Sequence, residues 1–145
     1  MGNSFFNKVL VAVDDSEQSA RAVDMALNLA KSSVIGSIVL FNVYDSSSVD
    51  VTKLHNAEKL DKLREASLAL LQKYENLFQA EGVNCQVKKA GGEPAQLILD
   101  VIENSADFDL VIMGSRRLNK FQEFTLGSVS DKVTRLSKVP VLIIK

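Results

Sequence analysis

The sequence predicts an α/β protein in which a parallel sheet is covered by helices on both faces. Short apolar runs, several of them rich in β-branched residues, alternate four times with segments of helical periodicity. Near-continuous apolar runs are typical of parallel strands that are buried on both faces. With 145 residues, 46% of them hydrophobic, the chain has the size of one domain with a sizeable core. We therefore expect residues 1–145 to form a single domain.

The first half of the chain opens with a strand, predicted over residues 5–13. Apolar residues recur at helical spacing from Ala20, and Asp15 or Ser16 is placed to cap that helix. The second strand is predicted over residues 37–44, and a serine-rich turn follows it.

A long amphipathic helix comes next, and Gly82 is its stop signal. The face that we expect it to bury consists of Leu54, Ala57, Leu60, Leu63, Ala66, Leu70, Leu71, Tyr74, Leu77 and Phe78.

The second half repeats the alternation. The third strand, residues 83–89, alternates polar and apolar side chains as an edge strand does. Pro94 opens the third helix, since a first-turn proline lacks only an N–H that the helix would not use. A strand over residues 109–113, a helix over 128–137 and a last strand over 139–145 complete the pattern.

Composition excludes several classes of function. Seventeen basic and eighteen acidic residues nearly cancel, so nothing favours nucleic-acid or membrane-surface binding. No apolar run approaches the ~20 residues of a membrane span, and no signal-peptide pattern opens the chain, so we expect a cytoplasmic protein. Cys85 is predicted to fill space in the core, and His55 to lie on the surface. No zinc-ligand spacing is present, so we expect no metal site.

Two strand ends carry candidate ligand residues. Sheets of this class bind ligands beyond the carboxyl ends of their strands, where the strand order reverses. Asp14 follows the first strand and Gly114 follows the fourth. If these two strands are neighbours, both loops face one crevice. Asp14 can also simply begin the first helix, whose positive end favours a carboxylate.

The stretch from Gly114 to Ser130 suits a phosphate. It is a loop with glycine at both ends that leads into a helix whose first turn carries the hydroxyls of Ser128 and Ser130. The spacing from Ser128 to Asp131 also fits a capping box, which needs no ligand.

The motifs at these places are similar to those of the universal stress protein family. The resemblance rests on the first strand's ending in Val-Asp-Asp-Ser at residues 13–16, on Met113-Gly114-Ser115-Arg116, on the spacing from Gly114 to Gly127-Ser128, and on the closing Val-Pro-Val-Leu-Ile-Ile. It covers essentially the whole chain.

The resemblance implies a five-stranded Rossmann-like sheet of order 3-2-1-4-5, similar to that of the adenine nucleotide alpha hydrolases, and a homodimer built through the last strand, residues 139–144. It also implies ATP binding, with Mg²⁺ able to accompany ATP, although AMP or a cyclic dinucleotide stays open. The implied nucleotide-binding residues are Ala12, Val13, Asp14, Val43, Met113, Gly114, Arg116, Arg117, Gly127, Ser128, Val129 and Ser130. Ala12, Val13 and Val43 would contact the adenine, and both valines fit plain core positions equally well.

The sequence departs from the family's ATP motif at Arg117, which stands where a second glycine is expected. This side chain would either crowd the phosphate channel or, with Arg116 and Lys120, contact phosphate oxygens. Phe121 and Phe124 of the same loop are expected to shield a nucleotide or to pack in an interface.

We therefore expect a nucleotide-binding stress-response switch without efficient turnover. The alternatives are a nucleotide-free interaction protein, whose site Arg117 has abolished, and a slow ATPase. No Walker motif or nucleophile elbow is present, so we predict no catalytic residue.

Overall fold

The computed structural model describes residues 4–46, 54–105, 107–115 and 127–145. Within these ranges five strands alternate with four helices along the chain. Their order and bounds are β1 (Phe6–Ala12), α1 (Glu17–Lys31), β2 (Ile35–Asp45), α2 (Leu54–Ala80), β3 (Cys85–Gly92), α3 (Pro94–Asn104), β4 (Leu110–Gly114), α4 (Ser128–Leu136) and β5 (Val141–Ile144).

All five strands join one parallel sheet in the order β3-β2-β1-β4-β5, as the resemblance implied. Val11 of the central strand β1 lies opposite Leu40 of β2 on one side and Ile112 of β4 on the other. From β1 the chain first adds β2 and β3 on one side of the sheet and then β4 and β5 on the other. The strand order therefore reverses between β1 and β4, which places the ends of these two strands side by side.

Helices cover both faces of the sheet, and each face has its own apolar core. One core joins alternate residues of β1, β2 and β4 to α1 and to α2, where Phe78 is fully buried. The other joins the intervening residues, among them Leu10 and Val111, to α3 and α4. Because side chains alternate along each strand, the sheet is apolar on both faces, and this explains the continuous apolar runs in the sequence.

Local signals set several of the helix ends as predicted. Ser16 is the N-cap of α1, and its hydroxyl accepts a hydrogen bond from Ser19 N at 3.1 Å. Pro94 begins α3, and the carboxylate of Glu93 caps that helix by accepting from the amides of the next two non-proline residues. Gly82, with φ at +73°, follows the end of α2 in the left-handed conformation that glycine adopts readily.

Strand boundaries differ from the predictions where tertiary contacts decide them. β3 begins two residues later than predicted because Val83 N still donates to Phe78 O at 2.9 Å and so closes the end of α2. The strand then continues to Gly92 because β2 is long and pairs with it as far as Asp45. β5 begins only at Val141, after a turn in which the Ser137 hydroxyl bonds both the amide and the carbonyl of Val139.

Candidate functional site

A cavity of about 810 Å³ opens at the carboxyl ends of the strands. It lies where the strand order reverses, between the ends of β1, β2 and β4 and the helices around them. The predicted site residues that line it are Ala12, Val13, Asp14, Val43, Met113, Gly114, Ser128, Val129 and Ser130. The two strand ends singled out in the sequence therefore do face one crevice.

The turn at Asp14 is held by hydrogen bonds to the start of α1. Asp14 N donates to the Ser19 hydroxyl at 2.8 Å, and Ser16 N donates to Asp14 Oδ1 at 2.8 Å. Asp14 thus takes the helix-starting role that the sequence allowed, and it lines the cavity as well. The two readings of this residue are compatible.

The first turn of α4 reaches the cavity without a side-chain cap. Gly127 is the N-cap, with φ −63° and ψ 162°, and no side chain of the described residues caps the helix. The capping box whose spacing fits Ser128 to Asp131 is therefore not formed, because Ser128 is already the first helical residue. Amides at the start of a helix lack partners within it, and together with the helix dipole they form a site for an anion.

Hydroxyl groups near this helix start differ in their partners. Ser128 is exposed, whereas Ser130 is buried and its hydroxyl donates to Gly127 O at 3.1 Å. The proton of Ser130 is therefore engaged, and only its lone pairs remain. Ser115, at the end of β4, is 3% exposed, and its Oγ has no hydrogen-bond partner in the described ranges. Buried hydroxyls usually have a partner, so this polar atom at the strand end is unusual.

Gly114 has a structural reason to be glycine that is independent of any ligand. A Cβ at this position would lie 2.7 Å from the backbone of Gln18 and Ser19, at the start of α1. Real Cβ atoms do not approach backbone so closely, so a larger residue would push α1 away from β4. The glycine therefore maintains the spacing between strand and helix beneath the cavity.

The end of β2 presents a backbone edge to the cavity at Val43. Phe41 O accepts from Val13 N at 2.9 Å, so Phe41 turns its polar backbone groups toward β1. Alternation turns the N–H and C=O of Val43 to the same side, where β1 has already ended at Ala12. The side chain of Val43 packs against the second core, and Val13 belongs to the first, so both also serve the core as the sequence allowed.

Sequence reasoning missed one wall of the cavity, which is formed by α2 between Leu63 and Lys73. Leu63, Ala66 and Leu70 had been predicted to be buried in the core, but all three line the cavity, and of the three Leu70 also packs against the first core. Other lining residues that were not predicted are Asp15, Phe41, Asn42, Tyr44, Asp45, Ser67, Ala69, Lys73, Pro94 and Ile98. The apolar periodicity of α2 indicated part of this wall, because it begins nearer the start of the helix than the residues that the core buries.

Two of the missed residues form a buried polar chain. Ser67 Oγ donates to Asn42 Oδ1 at 2.5 Å, and Asn42 Nδ2 donates to Val13 O at 2.7 Å. Both side chains are at least 93% buried. The chain therefore connects α2, β2 and the end of β1 at the cavity wall.

Among the described residues of the wall, acidic side chains outnumber basic ones. These residues include Asp14, Asp15 and Asp45 and one cation, Lys73. Burial raises the pKa of the Tyr74 phenol, and the negative charges of Asp14, Asp24 and Asp15 raise it further. The field of the carboxylates thus extends into the core beneath the cavity.

The remaining sequence predictions concern the loop that lies outside the described ranges and two residues elsewhere in the fold. Arg116 and Arg117, with Lys120, Phe121 and Phe124, lie outside the described residues. His55 is exposed, as predicted. Cys85 is a free, partly buried thiol that packs against the first core.

The described part of the chain shows neither a candidate membrane span nor a candidate metal cluster. No helix there is long and apolar enough to cross a membrane. Over the same ranges, no three histidine, cysteine, aspartate or glutamate side chains cluster closely enough to hold a metal ion.

The fold and the cavity together define a doubly wound α/β protein with a ligand crevice at its switch point. Comparison with known sequences then identifies the family. The universal stress protein family model matches residues 5–145, and the chain belongs to that family. A curated relative, the universal stress protein YxiE of Bacillus subtilis, is 32% identical over 97% of this chain and 99% of its own length.

Solved structures agree. The universal stress protein UspA from Lactobacillus plantarum superposes with a TM-score of 0.86 over 99% of this chain and 100% of its own. At 20% identity that likeness shows the fold alone. A universal stress protein solved in complex with cAMP has a TM-score of 0.74 and 26% identity, over 98% of this chain and 99% of its own.

Proposed function

We propose that this protein binds an adenine nucleotide in the cavity and acts in the cytoplasm as a stress-response switch without efficient turnover. One observation carries the proposal. The uncapped start of α4, which suits phosphate, and the backbone edge of Val43, which suits a base, line the same cavity. The related structure solved with cAMP supports the adenine class of ligand.

The residues present fit such a ligand. The amides of the first turn of α4, at Ser128, Val129 and Ser130, would hold phosphate oxygens. Val43 offers one donor and one acceptor side by side, which matches the hydrogen-bonding edge of adenine. Ala12 and Val13 supply the small apolar surface on which a base would lie.

ATP, with Mg²⁺ able to accompany it, is the nucleotide that we propose, and AMP and cAMP are the alternatives.

We propose that the protein does not hydrolyse its nucleotide efficiently. Asp14 Oδ1 accepts a hydrogen bond from the amide of Ser16 at 2.8 Å, so this carboxylate oxygen serves to begin α1. A phosphate-release assay on purified protein, with Gly127→Val as the background control, tests this point. Release that the control variant lacks would establish an ATPase.

Calorimetric titration of the nucleotide-free protein with ATP, AMP and cAMP tests the binding proposal. We expect micromolar affinity for at least one of them. Gly127→Val should weaken it about tenfold or more, because a branched side chain at the N-cap crowds the approach to the first-turn amides. Thr134→Val, an exposed position further along the same helix, is the matched control and should change nothing. Unchanged affinity in Gly127→Val would contradict the proposed phosphate position.

Arg117→Gly separates the proposal from its alternative, a nucleotide-free interaction protein. Restoring the glycine should change an existing affinity only moderately. If the unaltered protein binds no adenine nucleotide and Arg117→Gly does, the site has been lost and the alternative holds.

We further propose that the protein is a homodimer joined through β5. This strand is at one edge of the sheet, and its neighbourhood exposes two large apolar side chains, Leu142 at 36% and Leu136 at 57%. An exposed edge strand with apolar side chains favours pairing with a second copy. Sedimentation equilibrium should give a dimer that Leu142→Lys weakens, and a monomeric unaltered protein would refute the proposal.

A further inference from the structure

The hydrogen-bond ladder between β1 and β2 ends at Val13, whose carbonyl is bonded to the side chain of Asn42. In a parallel ladder, the bond from Val13 N to Phe41 O is followed by one from the N–H of Val43 to the carbonyl of Val13. That second bond is absent from the backbone hydrogen bonds of the described residues. The Val13 carbonyl instead accepts Nδ2 of Asn42 at 2.7 Å.

We propose that Asn42 is a positioning residue: its amide replaces the Val43 N–H at the Val13 carbonyl and so leaves that N–H to a ligand. This inference rests on the proposed function. It adds a reason why the backbone N–H of Val43 remains available to the base. Asn42 acts through Val13 and Val43 and does not need to touch the nucleotide.

Ser67 holds the amide of Asn42 in the required orientation. Its hydroxyl donates to Oδ1 of Asn42 at 2.5 Å, which leaves Nδ2 on the side of Val13. A flipped amide would place Oδ1 against the carbonyl of Val13, two acceptors facing each other. Both side chains are buried at 7% and 3% exposure, so water does not readily replace either bond.

Amide hydrogen exchange by NMR in the ligand-free protein tests the inference directly. In Asn42→Ala the Val13 carbonyl loses its side-chain partner, and the Val43 amide should bond to it. We expect the protection of that amide to rise about tenfold. A residue that only stabilised the fold would show the opposite, since destabilisation speeds exchange. Faster or unchanged exchange at Val43 would overturn the proposal.

Nucleotide affinity supplies the second measurement, by calorimetry with ATP, AMP and cAMP. Asn42→Ala should weaken binding about tenfold and Ser67→Ala about fivefold, whereas Ser67→Thr, which keeps the hydroxyl, should restore most of the affinity. Phe78→Leu is the matched control, because it destabilises the same helix in the core, away from the cavity wall. It should leave the affinity unchanged.

The outcomes separate this inference from the proposed function. If the unaltered protein binds none of the three nucleotides, the proposed function fails, and the role of Asn42 toward a nucleotide fails with it. If the unaltered protein binds and Asn42→Ala binds equally well, the proposed function stands and this inference alone is overturned.

Discussion

The two halves of α2 have the same apolar pattern but different environments, since one meets the cavity and the other the core. Toward its end the helix buries Leu71, Tyr74 and Phe78 in the core, where they are at most 5% exposed. Its first half turns Leu63 and Ala66 toward the cavity, where neither side chain is fully buried. Periodicity thus shows which face of a helix is apolar, but the rest of the fold decides whether that face meets a core or a ligand.

The strongest test of this difference is Phe78→Ala, in the core half. The side chain is fully buried, so its removal should leave a cavity and lower the free energy of unfolding by about 3–5 kcal/mol. Urea denaturation measures the change. Leu68→Ala, 55% exposed on the same helix, is the control and should cost about 0.5 kcal/mol or less. Equal costs for the two variants would mean that the end of α2 is not part of the core.

Much of the fold could be predicted from the sequence because local signals determine it. The cap at Ser16, the proline start at Pro94 and the glycine stop at Gly82 each act within a few residues of where they stand. Residues 128–131 show that the spacing of a capping box can occur where the cap itself does not form. Ser128 has the right spacing to Asp131, yet the helix begins one residue earlier than a cap there would allow.

The candidate site was only partly predictable, because its missing members depend on residues distant in the chain. Ser67 and Asn42 are 25 residues apart and bond only because α2 lies over the end of β2. From the sequence alone, Gly114 is explained by the loop that follows it, whereas the backbone of Gln18 and Ser19 is what excludes a side chain there. No single-sequence pattern expresses such contacts, since each partner alone is an ordinary residue.

The cavity half of α2 is tested by Ala66→Phe. Ala66 is exposed and lines the cavity, so a larger side chain should fill ligand space without disturbing the core. We expect adenine nucleotide affinity to fall about tenfold, which corresponds to about 1.4 kcal/mol, with little change in the melting temperature. Ala80→Phe, exposed at the far end of the same helix, is the matched control. A loss of stability in place of affinity would mean that this half belongs to the core after all.

A further test concerns Cys85, which packs against the core to which the last turns of α2 belong. Burial raises the pKa of its thiol from 9.0 to about 11, and the charge of Glu75 on α2 adds to the rise. At pH 8 the native thiol should therefore react with a disulfide reagent about a hundredfold more slowly than in the unfolded chain. Equal rates would place the thiol in water, contrary to its packing against that core.

The same shift affects stability in alkaline solution. Because the folded pKa lies above the unfolded one, the contribution of the protonated thiol is complete below about pH 9 and is lost as the pH rises toward 11. Comparing the pH dependence of unfolding in the unaltered protein and Cys85→Ala isolates this contribution from that of Tyr74, whose pKa is also raised. Glu75→Gln should reduce the difference slightly, because it removes the second cause and leaves burial, the larger one, in place.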